Sequence, residues 1–220
     1  MLTLFGNLDS GNVHKVQMIL HARAIPFLRV DVRQDKGQPR DPRFLAINPM
    51  GKVPAVRFDD GDMLSDSGAL LFHFAEGTDL WPDQRRARAE VLRWMFFEQY
   101  SHEPALAVLR YLKRFAAPSD AEPGRMSKLE DQSRFALGAM EERLRASDWI
   151  AGETPTIADL ALYPYTRLAS EAGVAVDDRS GVARWLRRVE ALPRHLPVYA
   201  DAAREVARFE DYFAATPSRH

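Results

Sequence analysis

Residues 48–70 read NPMGKVPAVRFDDGDMLSDSGAL and contain the most regular alternation of structural signals in the chain. Residues 54–58 predict a strand, DDGD at 59–62 is typical of a hairpin turn, and residues 63–64 predict a short second strand. The polar SDS at 65–67 comes directly before an apolar run and predicts a capped helix. This order of two strands and a helix predicts a small mixed α/β unit.

Strand and helix patterns also alternate ahead of this stretch. Residues 2–5 predict a strand, residues 13–24 carry apolar side chains at helical spacing, and residues 27–32 alternate apolar and polar side chains as a strand does. A short helix just before the quoted stretch completes the order β-α-β-α-β-β-α. We therefore expect an α/β domain over residues 1–76.

Strand patterns disappear further along the chain. Residues 77–84 include GTDLWP and predict a linker, and we expect an all-helical domain over residues 85–220. Its predicted helices cover residues 83–115, 124–147, 156–171, 181–191 and 197–214. Pro104 lacks a backbone donor and predicts a kink in the first of them. Thr156 and Asp159 match the capping-box pattern, which serves folding.

The composition argues against several classes of protein. Lys and Arg number 30 against 31 Asp and Glu, for a net charge of -1, so the basic excess of a nucleic-acid binder is missing. No apolar run approaches the roughly 18 residues of a membrane span. The chain has no cysteine, and its 6 histidines match no common metal-ligand spacing. We expect a cytoplasmic protein without metal, membrane or nucleic acid.

Three motifs resemble the glutathione S-transferase family. NPMGKVP at 48–54 and SDS at 65–67 are similar to two motifs of that family's amino-terminal domain, and GETPTIAD at 152–159 is similar to a capping segment of its helical domain. The element order matches over essentially the whole chain. The resemblance implies a thioredoxin-like α/β N-terminal domain followed by an all-α helical-bundle C-terminal domain. It also implies a homodimer.

The resemblance further implies glutathione as co-substrate, an extended tripeptide with two carboxylates, an ammonium and a thiol. It implies that the backbone of Val53, before a cis peptide bond to Pro54, receives the cysteinyl part. Lys52 is the expected partner of the glycyl carboxylate. Asp66 suits the ligand's ammonium, and Ser67 offers its second carboxylate a hydroxyl among free backbone N–H groups at a helix start.

These residues also have simpler structural interpretations. Asp66 is a common helix-capping residue, and Lys52 is compatible with a solvated loop lysine. Without the resemblance, Pro54 would be an ordinary proline at the start of a strand. Arg40, ahead of the second helix, is a weaker candidate for the glycyl carboxylate, and a surface arginine is the better interpretation.

The ligand's thiol requires activation, because a free thiol has a pKa of about 8.5 and is only about 3% ionised at pH 7. The turn after the first strand contains Ser10 and Asn12 and neither tyrosine nor cysteine. Serine-type and some bacterial members of the family are similar here, which implies Ser10 as main donor to the sulfur and Asn12 as second donor. Both are also typical turn and N-cap residues. We expect the neighbouring His14 and Lys15 on the surface.

These observations predict a glutathione transferase of the kind used in detoxification. Ser10 polarises the glutathione thiol, which attacks a small electrophile held by the helical domain. Two alternatives remain. One is a glutathione-dependent reductase of disulfides or peroxides that uses no protein cysteine. The other is a non-catalytic interaction module with the same fold.

Overall fold

The computed structural model describes residues 1–120, 122–176 and 178–216. The chain forms two compact units. Unit 1 consists of Met1–Phe74 together with the C-terminal segment that begins at Pro193, and unit 2 is Ala75–Leu192.

The described residues form strands and helices with the following bounds. The strands are β1 (Leu2–Phe5), β2 (Phe27–Asp31), β3 (Ala55–Arg57), β4 (Met63–Ser65) and β5 (Glu205–Arg208). The helices are α1 (Gly11–Ala22), α2 (Pro42–Leu45), α3 (Ser67–Ala75), α4 (Arg85–Phe97), α5 (Glu103–Arg114), α6 (Pro123–Arg145), α7 (Ile157–Arg167), α8 (Ser180–Glu190) and α9 (Phe209–Ala215). Short 3₁₀ turns cover Gln34–Lys36, Gln38–Arg40, Pro118–Asp120 and Ala169–Ala172, and a π-helical turn covers Glu98–His102.

The strands of unit 1 form one mixed sheet in the order β4-β3-β1-β2-β5. β1 pairs in parallel with β2 and antiparallel with β3, and β3 pairs antiparallel with β4. Parallel neighbours need a crossover connection, and α1 supplies the one between β1 and β2. The predicted thioredoxin-like α/β domain is confirmed, and so is the helical domain that follows it.

The C-terminal segment corrects two predictions. Residues 197–214 do not form one helix, because β5 lies within them and pairs in parallel with β2 from Leu28↔Glu205 to Asp31↔Arg208. The segment from Pro193 also belongs to unit 1 rather than to an all-helical domain over 85–220. The C-terminal segment joins the sheet because the backbone donors and acceptors on the outer edge of β2 gain hydrogen-bond partners from β5.

A buried arginine joins this segment to the middle of the sheet. Arg29 is only 5% exposed, and its guanidinium donates to the carbonyl oxygen of Gly6 at 3.0 Å and to Oδ2 of Asp201 at 2.9 Å. Asp31 supplies a second carboxylate 2.8 Å away. The two carboxylates offset the cost of burying this cation, and one of them lies on the C-terminal segment.

The last helix completes the core on one side of the sheet. Phe209 and Tyr212 of α9 are buried with Phe5, Phe44 and Val30 in one apolar cluster. The rings of Phe5 and Tyr212 meet edge to face with centroids 5.3 Å apart. The amphipathic pattern that predicted a helix near the C-terminus is thus correct for α9, but its apolar face packs on the sheet.

Unit 2 begins at Ala75, so residues 77–84 belong to it rather than to a separate linker. A π-helical turn over Glu98–His102 lies between α4 and α5, so the helix predicted over residues 83–115 is not continuous. Pro104 then lies in the first turn of α5, where no backbone donor is required. Among the described residues, no helix combines the length and the apolar character that crossing a bilayer requires.

The predicted capping box at the start of α7 is confirmed. Oγ1 of Thr156 accepts from the backbone N–H of Ala158 at 3.2 Å, and Oδ2 of Asp159 accepts from the N–H of Thr156 at 2.9 Å. The Asp159 carboxylate also accepts from Ile150 N at 3.0 Å and from Trp185 Nε1 at 2.8 Å. Burial raises the pKa of Asp159 despite these bonds. The motif therefore organises unit 2 as well as capping one helix.

The change Phe209→Ala tests whether α9 is part of the folding core. We expect it to lower the free energy of unfolding by about 3–5 kcal/mol, because it leaves a cavity beneath the sheet. Phe135→Ala removes the same atoms from a side chain that is 72% exposed in α6 and is the control. Equal losses for the two variants in urea denaturation would contradict this role for α9.

Candidate active site

One row of paired residues crosses the sheet where β1 ends. Phe5, the last residue of β1, pairs with Val30 of β2 on one side and with Ala55 of β3 on the other. Ala55 in turn pairs with Ser65, the last residue of β4. Neighbouring strands are about 4.8 Å apart, so β1 and β4 lie about 10 Å apart along this row. The segments that leave these three strand ends therefore share one edge of the sheet, which we call the site edge.

The loop from β1 to α1 is held closely against its surroundings. A Cβ on Gly6 would lie 2.3 Å from a methyl group of Val13, so only glycine permits this approach of strand and helix. Nδ2 of the buried Asn7 donates to the carbonyl of Val32 at 2.8 Å, and its Oδ1 accepts from the N–H of Asp9 at 3.1 Å. The loop is thereby fixed to the end of β2.

Ser10 caps α1 at the site edge. Its backbone is extended, with φ -84° and ψ 115°, and its Oγ accepts from the backbone N–H of Val13 at 3.3 Å. The predicted N-cap interpretation is therefore confirmed. Accepting this bond does not use the hydroxyl proton, so the half-buried Ser10 retains a donor.

Asn12 is oriented by Lys15, one turn further along α1. Nζ of Lys15 donates to Oδ1 of Asn12 at 2.7 Å. An ammonium can only donate, so the oxygen of the Asn12 amide faces Lys15 and its NH₂ group faces away from it. The expected surface position of Lys15 is wrong, since its side chain is 0% exposed. The reason is that α1 is buried on nearly every face in unit 1.

His14 is also buried rather than exposed as expected. Only 4% of it is exposed, and Nε2 donates to the carbonyl oxygen of Leu196 at 3.1 Å. Burial lowers the pKa of His14 to about 4, and the charge of His195 acts in the same direction. The imidazole is therefore neutral near pH 7, where it links α1 to the C-terminal segment.

The loop before β3 places the backbone of Val53 at the site edge. Nδ2 of Asn48, which is buried, donates to the carbonyl oxygen of Lys52 at 2.7 Å and so closes the loop on itself. The peptide bond between Val53 and Pro54 is cis, as the resemblance implied. The side chain of Lys52 is exposed, and that of Val53 is half-buried.

Gly51 gives this loop its close approach to the segment before α2. Its φ is +59°, and a Cβ would lie 2.8 Å from the carbonyl oxygen of Pro39 and 3.0 Å from Nη1 of Arg40. Arg40 is exposed as expected, but its guanidinium lies beside the backbone that leads into Lys52.

Asp66 and Ser67 lie where β4 passes into α3. Asp66 has a φ of +78°, and its Oδ1 accepts from the backbone N–H groups of Gly68 at 2.8 Å and Ala69 at 3.0 Å. The capping interpretation of Asp66 is therefore confirmed. Asp66 is exposed, whereas Ser67 is 4% exposed in the first turn of the helix. Both bonds end on Oδ1, so Oδ2 is available to a ligand.

The structure brings the segments of all predicted site residues to the site edge: Ser10, Asn12, Lys52, Val53, Asp66 and Ser67. Their roles toward a ligand stay predictions. Sequence reasoning missed that Asn7 fixes the loop between β1 and α1. The available signal was the residue type, because asparagine side chains in turns often accept from the backbone N–H two residues further on. Sequence reasoning also missed that Lys15 orients Asn12, and the three-residue spacing on one helix was the available signal. Within the described residues, no cluster of three or more His, Asp and Glu side chains is arranged to hold a metal ion.

Comparisons with known proteins agree with this arrangement. Residues 9–76 match the family described as "Glutathione S-transferase, N-terminal domain", and residues 101–193 match "Glutathione S-transferase, C-terminal domain". The chain is 31% identical over 210 residues to glutathione S-transferase F13 of Arabidopsis thaliana, covering 90% of this chain and 94% of that protein. It is 29% identical over 189 residues to the disulfide-bond oxidoreductase YfcG of Escherichia coli K12, covering 83% and 87% of the two chains.

Solved structures are similar over most of the chain. A glutathione S-transferase from Xanthobacter autotrophicus Py2 is 41% identical with a TM-score of 0.86, covering 90% of this chain and 97% of its own. A glutathione transferase from Burkholderia graminis, solved with two glutathione molecules bound per subunit, is 29% identical with a TM-score of 0.81, covering 92% and 89%.

The burial of His14 predicts a loss of stability in mild acid. The unfolded chain binds a proton at this residue near pH 6.5 and the folded chain only near pH 4, so protonation favours unfolding as the pH falls between those values. The contribution is complete above pH 6.5, and roughly 3 kcal/mol is lost by pH 4. Urea denaturation at several pH values measures it. His14→Gln should reduce this loss, and His21→Gln in the same helix should not; equal pH profiles for wild type and His14→Gln would contradict the argument.

Proposed function

The chain belongs to the glutathione S-transferase family, and on that basis we propose that it is a glutathione transferase whose ligand lies along the site edge of unit 1. The observation that carries the proposal is the paired row Phe5–Ala55–Ser65. It brings together a helix start with two polar donors, an exposed backbone before β3 and a second helix start. An extended tripeptide is about 10 Å long, which equals the distance from β1 to β4 along that row.

Each part of glutathione has a chemically suitable partner along this edge. Asp66 uses Oδ1 to cap α3, and its Oδ2 can accept from the ligand's ammonium. The hydroxyl of Ser67 and the N–H groups of that helix start suit the adjacent carboxylate. The backbone of Val53 offers the cysteinyl part main-chain hydrogen bonds. The exposed Lys52 is placed in the same loop for the glycyl carboxylate.

Activation of the thiol is assigned to Ser10 and Asn12 together. Lowering a thiol pKa by two units requires about 2.7 kcal/mol of preferential thiolate stabilisation. One hydrogen bond to a charged acceptor supplies about 1.5–3 kcal/mol, and the start of α1 adds about 0.3–1 kcal/mol. The Asn12 amide suits this task, because its oxygen accepts from Lys15 and its NH₂ group therefore faces away from Lys15.

The proposed reaction is a nucleophilic attack by the glutathione thiolate. The sulfur forms a bond to an electrophilic carbon of a small substrate, and the leaving group departs with its electron pair or a strained ring opens. We assign the binding of that electrophile to unit 2.

We also propose a homodimer and a cytoplasmic location. In support of the dimer, Phe96 and Tyr100 of unit 2 are large side chains that are 68% and 87% exposed, four residues apart on one helical path.

A second candidate function is the reduction of disulfides or peroxides with glutathione alone. The similarity to the Escherichia coli disulfide-bond oxidoreductase favours it. The chain has no cysteine, so one glutathione thiolate would have to attack the disulfide and release the first substrate thiol. A second glutathione would then attack the mixed disulfide, which forms oxidised glutathione and releases the second thiol. Glutathione assays with an aryl halide and with a small disulfide separate the two functions, since the first yields a thioether and the second oxidised glutathione. Absence of both reactions despite glutathione binding would favour the interaction module.

The change Asp66→Asn tests the glutathione site without removing the helix cap. Asparagine keeps a side-chain oxygen for Gly68 and Ala69 and tolerates a positive φ, but it carries no charge for the ligand's ammonium. We expect a melting temperature close to that of the wild type and roughly ten- to hundredfold weaker glutathione binding by isothermal titration. Asp60→Asn is the control, because this residue lies in the exposed turn between β3 and β4. Unchanged affinity in Asp66→Asn would show that the residue is only a cap.

The changes Ser10→Gly and Asn12→Ala test which donor stabilises the thiolate. Glycine retains most of the capping free energy but has no hydroxyl, so a raised pKa of bound glutathione reports donation rather than helix stability. We expect each variant to raise that pKa and to slow turnover roughly tenfold or more at neutral pH, with partial recovery at higher pH. Ultraviolet absorbance of the thiolate against pH measures the shift. A shift in Asn12→Ala without one in Ser10→Gly would make Asn12 the principal donor.

A further inference from the structure

We propose that the C-terminal segment of unit 1 positions the thiol donors Ser10 and Asn12, and that Asp201 is a positioning residue for them. The proposal rests on the function proposed above, because it concerns how the donors of that site are held. Three side-chain hydrogen bonds connect residues 196–202 to the elements that surround the donors. Each of these bonds joins residues at least 172 positions apart in the chain.

The first connection runs from Asp201 through Arg29 to the loop between β1 and α1. Nε and Nη2 of Arg29 both lie 2.9 Å from Oδ2 of Asp201, and Nη1 donates to the carbonyl oxygen of Gly6 at 3.0 Å. Gly6 directly follows β1 and begins the loop that leads to Ser10. A guanidinium is planar and rigid, so the carboxylate that holds one edge also directs the arm that reaches Gly6. The start of this loop therefore depends on a carboxylate of the C-terminal segment.

The other two connections hold the beginning of α1. Nε2 of His14 donates to the carbonyl oxygen of Leu196 at 3.1 Å, and Oε1 of Gln17 accepts from the backbone N–H of Ala202 at 3.0 Å. His14 and Gln17 are three residues apart on one face of the helix, and both are buried. The N–H of His14 also donates to the carbonyl oxygen of Ser10 at 3.0 Å. Helix ends fray, and the C-terminal segment holds the end that carries the donors.

The C-terminal segment does not need Asp201 to remain on the sheet. β5 pairs with β2 along its four residues, and Phe209 and Tyr212 are buried in the core. Arg29 also keeps a carboxylate when Asp201 is changed, since Asp31 lies 2.8 Å from Nη1. A buried ion pair is by itself weak evidence for stability. We therefore expect the loss of Asp201 to act mainly on the loop that Arg29 contacts.

Stabilisation of the thiolate depends on the placement of its donors. Active-site groups must be held within about 0.5 Å of their productive positions, and a misplacement of about 1 Å can cost about a hundredfold in rate. The charged ends of glutathione are assigned to the segments beside β3 and β4, on the opposite side of β1 from β5. A change at Asp201 should therefore weaken thiolate stabilisation far more than glutathione binding.

The change Asp201→Asn tests the proposal. Oδ1 of Asp201 accepts from the N–H of Ala203 at 3.1 Å while Oδ2 binds Arg29, and the single oxygen of asparagine cannot serve both. We expect the pKa of bound glutathione, from ultraviolet absorbance of the thiolate, to rise by about one unit. At neutral pH, kcat should fall roughly tenfold, whereas KM for glutathione should stay within about twofold of the wild type. Glu205→Gln removes an exposed carboxylate of the same segment and is the control.

Amide hydrogen exchange without glutathione tests the same contacts independently. Peptides that cover residues 6–16 should exchange faster in Asp201→Asn than in the wild type or in Glu205→Gln, because the loop loses the support of Arg29. Gln17→Met is a second variant that does not depend on the folding of Asp201→Asn. It removes the bond to Ala202 together with Nε2 of Gln17, a buried atom without a hydrogen-bond partner among the described residues. It should shift the exchange and the pKa in the same direction.

The outcomes separate this proposal from the glutathione assignment. An unchanged pKa of bound glutathione in the variants, with or without a loss of stability, would overturn the positioning role and leave the proposed function intact. Wild-type exchange over residues 6–16, or equal effects in Glu205→Gln, would overturn it as well. A wild-type protein that binds no glutathione or forms no thiolate would overturn the proposed function, and the positioning role with it.

Discussion

The pairing of β1 on both of its edges is the constraint on which unit 1 depends. Its parallel pairing with β2 requires a crossover, so α1 must begin beside the end of β1 and carries Ser10 and Asn12 there. Its antiparallel pairing with β3 brings the loop of Val53 to the same edge, and β4 adds the start of α3. A one-residue slip would turn every side chain of a strand to the opposite face, so the buried Phe5 holds this register.

The cationic side chains of unit 1 include some that are buried and bonded within the fold and others that are exposed to solvent. Lys15 and Arg29 are buried, and each is held by oxygen acceptors that offset the loss of water. One of them orients a proposed thiolate donor and the other fastens the C-terminal segment. By contrast, Lys36, Arg40 and Arg208 are exposed to solvent. A buried cation needs its partner within the fold, whereas an exposed one can take a ligand.

Local signals predicted the elements of the fold that local interactions create. The Thr156–Asp159 cap, the Ser10 and Asp66 caps and the turn between β3 and β4 depend on residues within a few positions of one another, and all are present. The β5 strand was not predicted. Three of its four residues are exposed and it has no alternating apolar face, so only the free edge of β2 makes it a strand.

For the site, the sequence by itself determined which residue types are available: hydroxyl and amide donors after β1, a loop that ends in a proline before β3, and an acidic helix start after β4. It also determined the absence of a protein thiol. Only the tertiary structure decided that His14 and Lys15 are buried, that Lys15 holds the oxygen of the Asn12 amide, and that β5 pairs with β2. The physical reason is that caps and turns are settled by neighbours along the chain. Burial and charge balance depend instead on packing between segments distant in sequence, and no local sequence pattern encodes that packing.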